Sequence, residues 1–199
     1  MQKTYDRAYF DKWYRDPAQA VDSPAEVRRK VALAVALAEH YLGRPIRNAL
    51  DVGCGEGNWR APLRRLRPQV AYRGIDPSDY VVARYGRTRN IGLGDFGMLE
   101  YLRFERPFDL ILCSNVLHYI DAAQIRRGLR GLDELLEGVA FLEVYAAEDD
   151  VEGDDEDYVA RKASWYRRQF GAAGLVAVGS HAWVGSNLAP QLLALEGVS

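Results

Sequence analysis

The sequence predicts an α/β fold, a doubly wound and mainly parallel sheet in a single domain covering residues 1–199. Three observations carry that expectation. Short apolar runs alternate with helix-patterned segments from residue 46 onward. One run, FDLILCS at 108–114, is apolar almost throughout, as a parallel strand covered on both faces should be. The 199 residues are 48% hydrophobic and 27% charged, enough for one full core, with no repeat or dividing linker.

The elements follow in order. Tyr5, Tyr9, Phe10, Trp13 and Tyr14 fall on one helical face of the N-terminal segment 1–22, which serves either as core packing or as a cover over a ligand. Ser23-Pro24-Ala25-Glu26 is a capping box with proline at the first helical position. Val27, Val31, Val35 and Ala38 then recur at helical spacing, predicting a helix over 23–42 that stops at Gly43. Strands are expected at 46–52, 70–76, 89–95, 108–114, 138–146, 175–184 and 191–198. Helices are expected at 57–67, 79–86, 97–103, 121–136 and 156–174.

Charge and cysteine content narrow the function classes. A net charge of −2 does not favour nucleic acid or an anionic membrane as partner, and the arginines are spread over helices rather than gathered with aromatics. Residues 148–157 hold eight acids, read as a solvated loop or as a device that steers a basic ligand. Asp157 and Arg161 have the spacing of a helical ion pair. Cys54 and Cys113 form no disulfide framework, and His40, His118 and His181 have no metal-site spacing. The charged N-terminus lacks a signal core, and no apolar run approaches the ~20 residues of a membrane span, so a cytoplasmic location is expected.

The stretch ALDVGCGEGNW at 49–59 asks for another explanation than packing. Glycine weakens a strand, yet Gly53, Gly55 and Gly57 follow directly on one, beside Asp51. In a doubly wound sheet, ligands bind beyond the carboxyl ends of the strands, where bare backbone and a helix N-terminus meet them. The spacing G-x-G-x-G departs from the G-x-G-x-x-G of dinucleotide sites. Glu56 would repel a diphosphate and tolerate a cationic nucleoside.

With these residues in view, LDVGCGEG resembles the first motif of class I S-adenosylmethionine-dependent methyltransferases. That resemblance implies a Rossmann-like methyltransferase fold, a seven-stranded sheet with the last strand antiparallel, and S-adenosylmethionine as cofactor. It implies that Asp51, Gly53, Cys54 (through its backbone), Gly55 and Gly57 cradle the cofactor. YRGIDPS supplies Asp76, followed by Pro77, for the ribose hydroxyls. LGDFG supplies Asp95 for the adenine amino group and Phe96 for its ring. FDLILCSNVLHYI resembles the fourth motif and brings Ser114, Asn115, His118 and Tyr119 near the reacting centre. YDRAYFDKWY resembles the aromatic lid of small-molecule members, with Tyr14 among the cofactor contacts.

Asp76 and Asp95 also stand at strand-to-helix turns, where an aspartate caps the helix, so both roles stay open. His118 is either a general base for a hydroxyl or amine acceptor or a packed residue at the next helix. SNVLHY lacks the [D/N]-P-P-[Y/F] signature of many base and glutamine methyltransferases. The leading expectation is therefore methyl transfer to a small molecule. A protein or tRNA methyltransferase needing a partner, and a cofactor-binding protein without transfer, are the competing readings.

Overall fold

The strand β1 (Asn48–Val52) is buried along its whole length and lies in the interior of the sheet. The computed structural model describes residues 4–16, 19, 22–151 and 154–197. Beside β1 lie β2 (Ala71–Asp76) and β4 (Phe108–Ser114), both parallel to it. The outer strand β3 (Ile91–Leu93) pairs with β2, and β5 (Leu136–Glu143) pairs with β4, again in parallel. With β6 (Val176–Gly179) and β7 (Ala182–Val184), the seven-stranded order is β3-β2-β1-β4-β5-β7-β6, so the chain reverses its direction of travel between β1 and β4.

Alternation along these strands divides the core into two layers. Ala49, Leu110 and Leu112 face α2 (Pro24–Leu42) and α3 (Arg60–Leu66), joining Val31, Val35 and Leu63. Leu50, Ile111 and Cys113 face the opposite layer with Ile125, Leu129 and Leu132 of α5 (Ala122–Leu135) and Phe170 of α6 (Ala163–Ala172). A further helix, α4 (Asp79–Arg89), connects β2 to β3. The capping box forms as the sequence dictates: Ser23 Oγ accepts from the Glu26 N–H, and Glu26 returns a bond to the Ser23 N–H. Gly43 closes α2 with φ +63°, a left-handed value that glycine adopts without a Cβ penalty.

Two expectations are corrected. The last two strands both come from 175–184, as the hairpin β6 (Val176–Gly179) and β7 (Ala182–Val184). Ser180 and His181 turn it with φ of 49° and 64°, the two positive values of a tight hairpin. Residues 191–197 form no strand and follow a 3-10 turn at Ala189–Gln191. As expected, β7 runs antiparallel to β5. The helix expected over 156–174 is confined to α6, because 156–162 is held as a loop. There the Arg161 guanidinium donates to the carbonyls of Leu117 and Ile120, and Asp157 takes φ +62°. Arg161 is thus committed elsewhere, and the expected ion pair with Asp157 does not form. The N-terminal segment is a short helix α1 (Arg7–Phe10) that widens into a π-helical turn at Asp11–Arg15.

Candidate functional site

Where β1 ends, the chain turns through Gly53 (φ +68°) and Gly55 (φ +51°). The N–H groups of Gly53 and Cys54 both donate to the Ile75 carbonyl, tying the turn to β2. A Cβ at Gly53 would collide with Val116, and one at Gly55 with the Tyr14 hydroxyl. Glycine is therefore required at these two positions by conformation and by space together. The helix α3 starts only at Arg60, so Gly57 lies off the cavity and its backbone packs toward Tyr72, Arg89 and Ile91.

A cavity of about 420 Å³ opens at the carboxyl ends of β1, β2, β3 and β4, where the strand order reverses. Of the residues singled out from the sequence, Tyr14, Asp51, Gly53, Cys54, Gly55, Asp76, Pro77, Asp95, Phe96, Ser114, Asn115 and Tyr119 line it. Tyr5, Tyr9, Phe10 and Trp13 do so as well, so the N-terminal aromatics cover the mouth. Tyr5 and Tyr9, Tyr9 and Phe10, and Phe10 and Tyr14 meet edge to face, and Phe10 stacks on Tyr80. This cover is anchored at both ends: Ser78 Oγ donates to the Tyr5 carbonyl, and Arg15 pairs with Glu56.

Glu56 therefore answers to Arg15 and does not line the cavity, which corrects the expectation that its charge tunes the ligand. The Cys54 thiol is buried and approaches the Gly55 carbonyl; burial pushes its pKa up, as suits packing rather than reactivity. His118 is also corrected. It is 0% exposed, lies outside the cavity lining and packs against Tyr119, Tyr145 and Tyr158. The Tyr145 N–H approaches its Nδ1 at 3.4 Å. Its place is in an aromatic cluster behind the site.

The strand-end carboxylates are held firmly. Asp76 accepts from the N–H groups of Gly55 (2.7 Å) and Ser78 (2.9 Å), which bridges the glycine turn to the start of α4. Burial raises its pKa, against the pull of those two donors. Asp51 accepts from the Tyr72 hydroxyl at 2.8 Å. Burial, and then the charge of Asp76, raise its pKa to about 7, opposed by the Tyr72 hydroxyl. Asp95 caps the 3-10 turn Phe96–Glu100 by accepting from the Met98 N–H, and it lines the cavity too.

Because the folded pKa of Asp51 exceeds its reference of 3.8, its protonation favours the folded state. That stability is complete below about pH 4 and is lost as the pH rises through about 7. Asp51→Asn is expected to raise the melting temperature more at pH 8 than at pH 5, by scanning calorimetry. An equal effect at the two pH values would contradict the burial argument.

The structure adds Asp22 to the residues read from the sequence. Asp22 lines the cavity beside Lys30, whose Nζ donates to it at 2.6 Å and pairs with Glu143 at 2.8 Å. Ser114 Oγ donates to the same Glu143. Asn115 takes φ +58° and points its Nδ2 toward Asp22 at 3.5 Å, while its buried Oδ1 has no hydrogen-bond partner among the described residues. The acidic stretch is not simply solvated: Asp154 is 4% exposed, and Asp154 and Asp157 both line the cavity. Two of its ten residues, 152 and 153, lie outside the described residues. Glu143 and Tyr145 border a second cavity of about 340 Å³.

Residues 50–139 match the family described as "Methyltransferase domain". No curated protein matches the chain. The fold is that of solved methyltransferases. The sugar N-methyltransferase KedS8 from Streptoalloteichus sp. is 18% identical, with a TM-score of 0.63 over 93% of this chain and 95% of that one. The plantazolicin methyltransferase BamL, in complex with a triazolic desmethylPZN analogue and SAH, is 13% identical with a TM-score of 0.60. An O-methyltransferase family protein from Burkholderia thailandensis is 16% identical with a TM-score of 0.53. The matches cover 76% and 80% of this chain but only 65% and 55% of those two proteins.

Proposed function

We propose that this chain, with a methyltransferase domain matched over residues 50–139, is an S-adenosylmethionine-dependent methyltransferase acting on a small-molecule acceptor. The observation that carries the reading is the convergence of Asp51, Asp76 and Asp95 with the glycine turn on one cavity at the strand reversal. The donor set fits the cofactor. Carboxylates accept hydrogen bonds from diol hydroxyls and from an amino group, and no basic side chain among the described lining residues invites a diphosphate. The cavity volume falls in the range of small-molecule sites, about 300–1,000 Å³.

In this reading Asp76, beside Pro77, holds the ribose hydroxyls, while Asp95 and Phe96 receive the adenine. The turn at Gly53, Cys54 and Gly55, with Asp51, Ser114, Asn115 and Tyr14, surrounds the amino-acid end. When bound, the cofactor supplies a methyl group on a positively charged sulfur. The chain's own residues orient the partners and exclude water, which suffices for much of the acceleration of an in-line displacement. The aromatic cover of Tyr5, Tyr9, Phe10, Trp13 and Tyr14 performs the exclusion, and its π-faces suit a sulfonium. His118 has no access to the acceptor. Tyr119 is a wall residue whose hydroxyl donates to the Asp154 carbonyl, and burial raises its pKa.

The whole chain serves as one domain in this reading, and the buried, unpaired Cys54 and Cys113 support a cytoplasmic location. Among the described residues no helix is long and apolar enough to cross a membrane. Calorimetric titration with S-adenosylmethionine, S-adenosylhomocysteine and NAD tests the assignment. The two sulfur nucleosides are expected to bind and NAD to give no heat; preferential binding of NAD would overturn it.

A further inference from the structure

We infer that Lys30 is a positioning residue: from outside the cavity it fixes Asp22, Ser114 and Asn115 as acceptors for the ammonium of the cofactor's amino-acid end. The inference rests on the methyltransferase reading and adds to it a residue that touches no ligand. Lys30 stands on α2 and is not among the described residues lining the cavity. Its Nζ donates to Asp22 at 2.6 Å and reaches the two Glu143 oxygens at 2.8 and 2.9 Å. Burial works against the ammonium, yet the bonds to Asp22 and Glu143 keep the Lys30 pKa above the ordinary lysine value. Burial also pushes the Asp22 pKa up and Lys30 pulls it back, so the charge of Asp22 depends on this cation.

The network decides which way the hydrogen bonds run. An ionised carboxylate only accepts, so Ser114 Oγ commits its single proton to Glu143. What Ser114 turns to the cavity is then its lone pairs. Ser114 stands opposite Glu143 across β4 and β5, and the Asn115 N–H donates to the Glu143 carbonyl at 3.0 Å. Asn115 turns its Nδ2 toward Asp22, because the reversed amide would set Oδ1 against a carboxylate. Its Oδ1 is thereby left as a buried acceptor without a hydrogen-bond partner among the described residues.

Asp22, Ser114 and Asn115 thus bring three acceptors to one end of the cavity. The glycine turn lies beside them, since a Cβ at Gly53 would meet Val116, the neighbour of Asn115. An ammonium carries three donors and no acceptor, one donor for each of these groups. Charge agrees. Asp22 and Glu143 share Lys30, which leaves one negative charge for the cofactor's ammonium to cancel.

The test is calorimetry with S-adenosylhomocysteine and with 5′-S-(3-carboxypropyl)-5′-thioadenosine, which lacks only the amino group. The chain is expected to bind the amino compound tighter by roughly tenfold, as charge-assisted hydrogen bonds warrant. Lys30→Met is expected to cut that preference to about twofold by weakening the amino compound alone. Lys30→Arg restores the cation and is expected to retain the preference. Glu143→Gln is isosteric and gives Ser114 a donor as its partner, so it should lower the preference by about threefold even if Lys30→Met does not fold. No preference in the parent chain, a preference that survives both Lys30→Met and Glu143→Gln, or an equal loss of both ligands in those variants overturns the inference. Failure of the parent chain to bind either compound strikes at the methyltransferase reading instead, which separates the two.

Discussion

Asp76→Ala is expected to weaken S-adenosylhomocysteine binding by about 1.5–3 kcal/mol, the worth of a hydrogen bond to a charged group. Calorimetry would read this as a loss of roughly 10- to 150-fold in affinity. The argument is geometric. Both Asp76 oxygens receive backbone N–H groups, from Gly55 and Ser78, so the carboxylate is fixed in place before any ligand arrives. Its remaining lone pairs serve a diol without a search for the right rotamer. The alanine variant also frees the Gly55 N–H, which loosens the turn on which Tyr14 rests. Asp76→Asn keeps one carbonyl oxygen and is expected to fall between the two. Unchanged affinity in the alanine variant would remove Asp76 from the site.

Gly131→Ala is expected to lower the melting temperature, and Gly128→Ala to do the same. In α5 these glycines allow the helix to approach the segment 96–100 at backbone distance. A Cβ at 131 would meet the main chain of Leu99 and Glu100, and one at 128 the Phe96 carbonyl and ring. Alanine is the better helix former by about 1 kcal/mol, which pulls the other way. The clash wins because its partner is largely backbone and cannot swing aside; overpacking of this kind costs about 1–3 kcal/mol. The corresponding fall in melting temperature is roughly 3–10 °C. Any displacement of 96–100 also moves Asp95 and Phe96, so nucleoside affinity should drop in parallel. A raised melting temperature would show that the helix can retreat at no cost.

What the sequence disclosed and what it concealed follow a physical division. The capping box, the apolar run of β4 and the acids closing β1 and β2 are local patterns, readable because each depends on neighbours in the chain. The left-handed backbone at Asn115, Asp157, Ser180 and His181 carries no glycine to announce it. The pattern at 175–184 therefore reads as one strand, and the loop before α6 reads as helix. The Arg15–Glu56 pair joins residues 41 apart and turned an expected ligand-tuning acid into an anchor for the cover. His118 has the right chemistry for a base, but its burial behind Tyr119 is a matter of tertiary packing alone. Asp22 offered no signal beyond standing before a capping box.

The outermost strands, β3 and β6, have three and four residues. Such short borders expose few unsatisfied amide and carbonyl groups, and so offer a foreign chain little template on which to add a strand. Growth of the sheet from one molecule into the next is thereby discouraged at both flanks, independently of the chemistry at the strand tips.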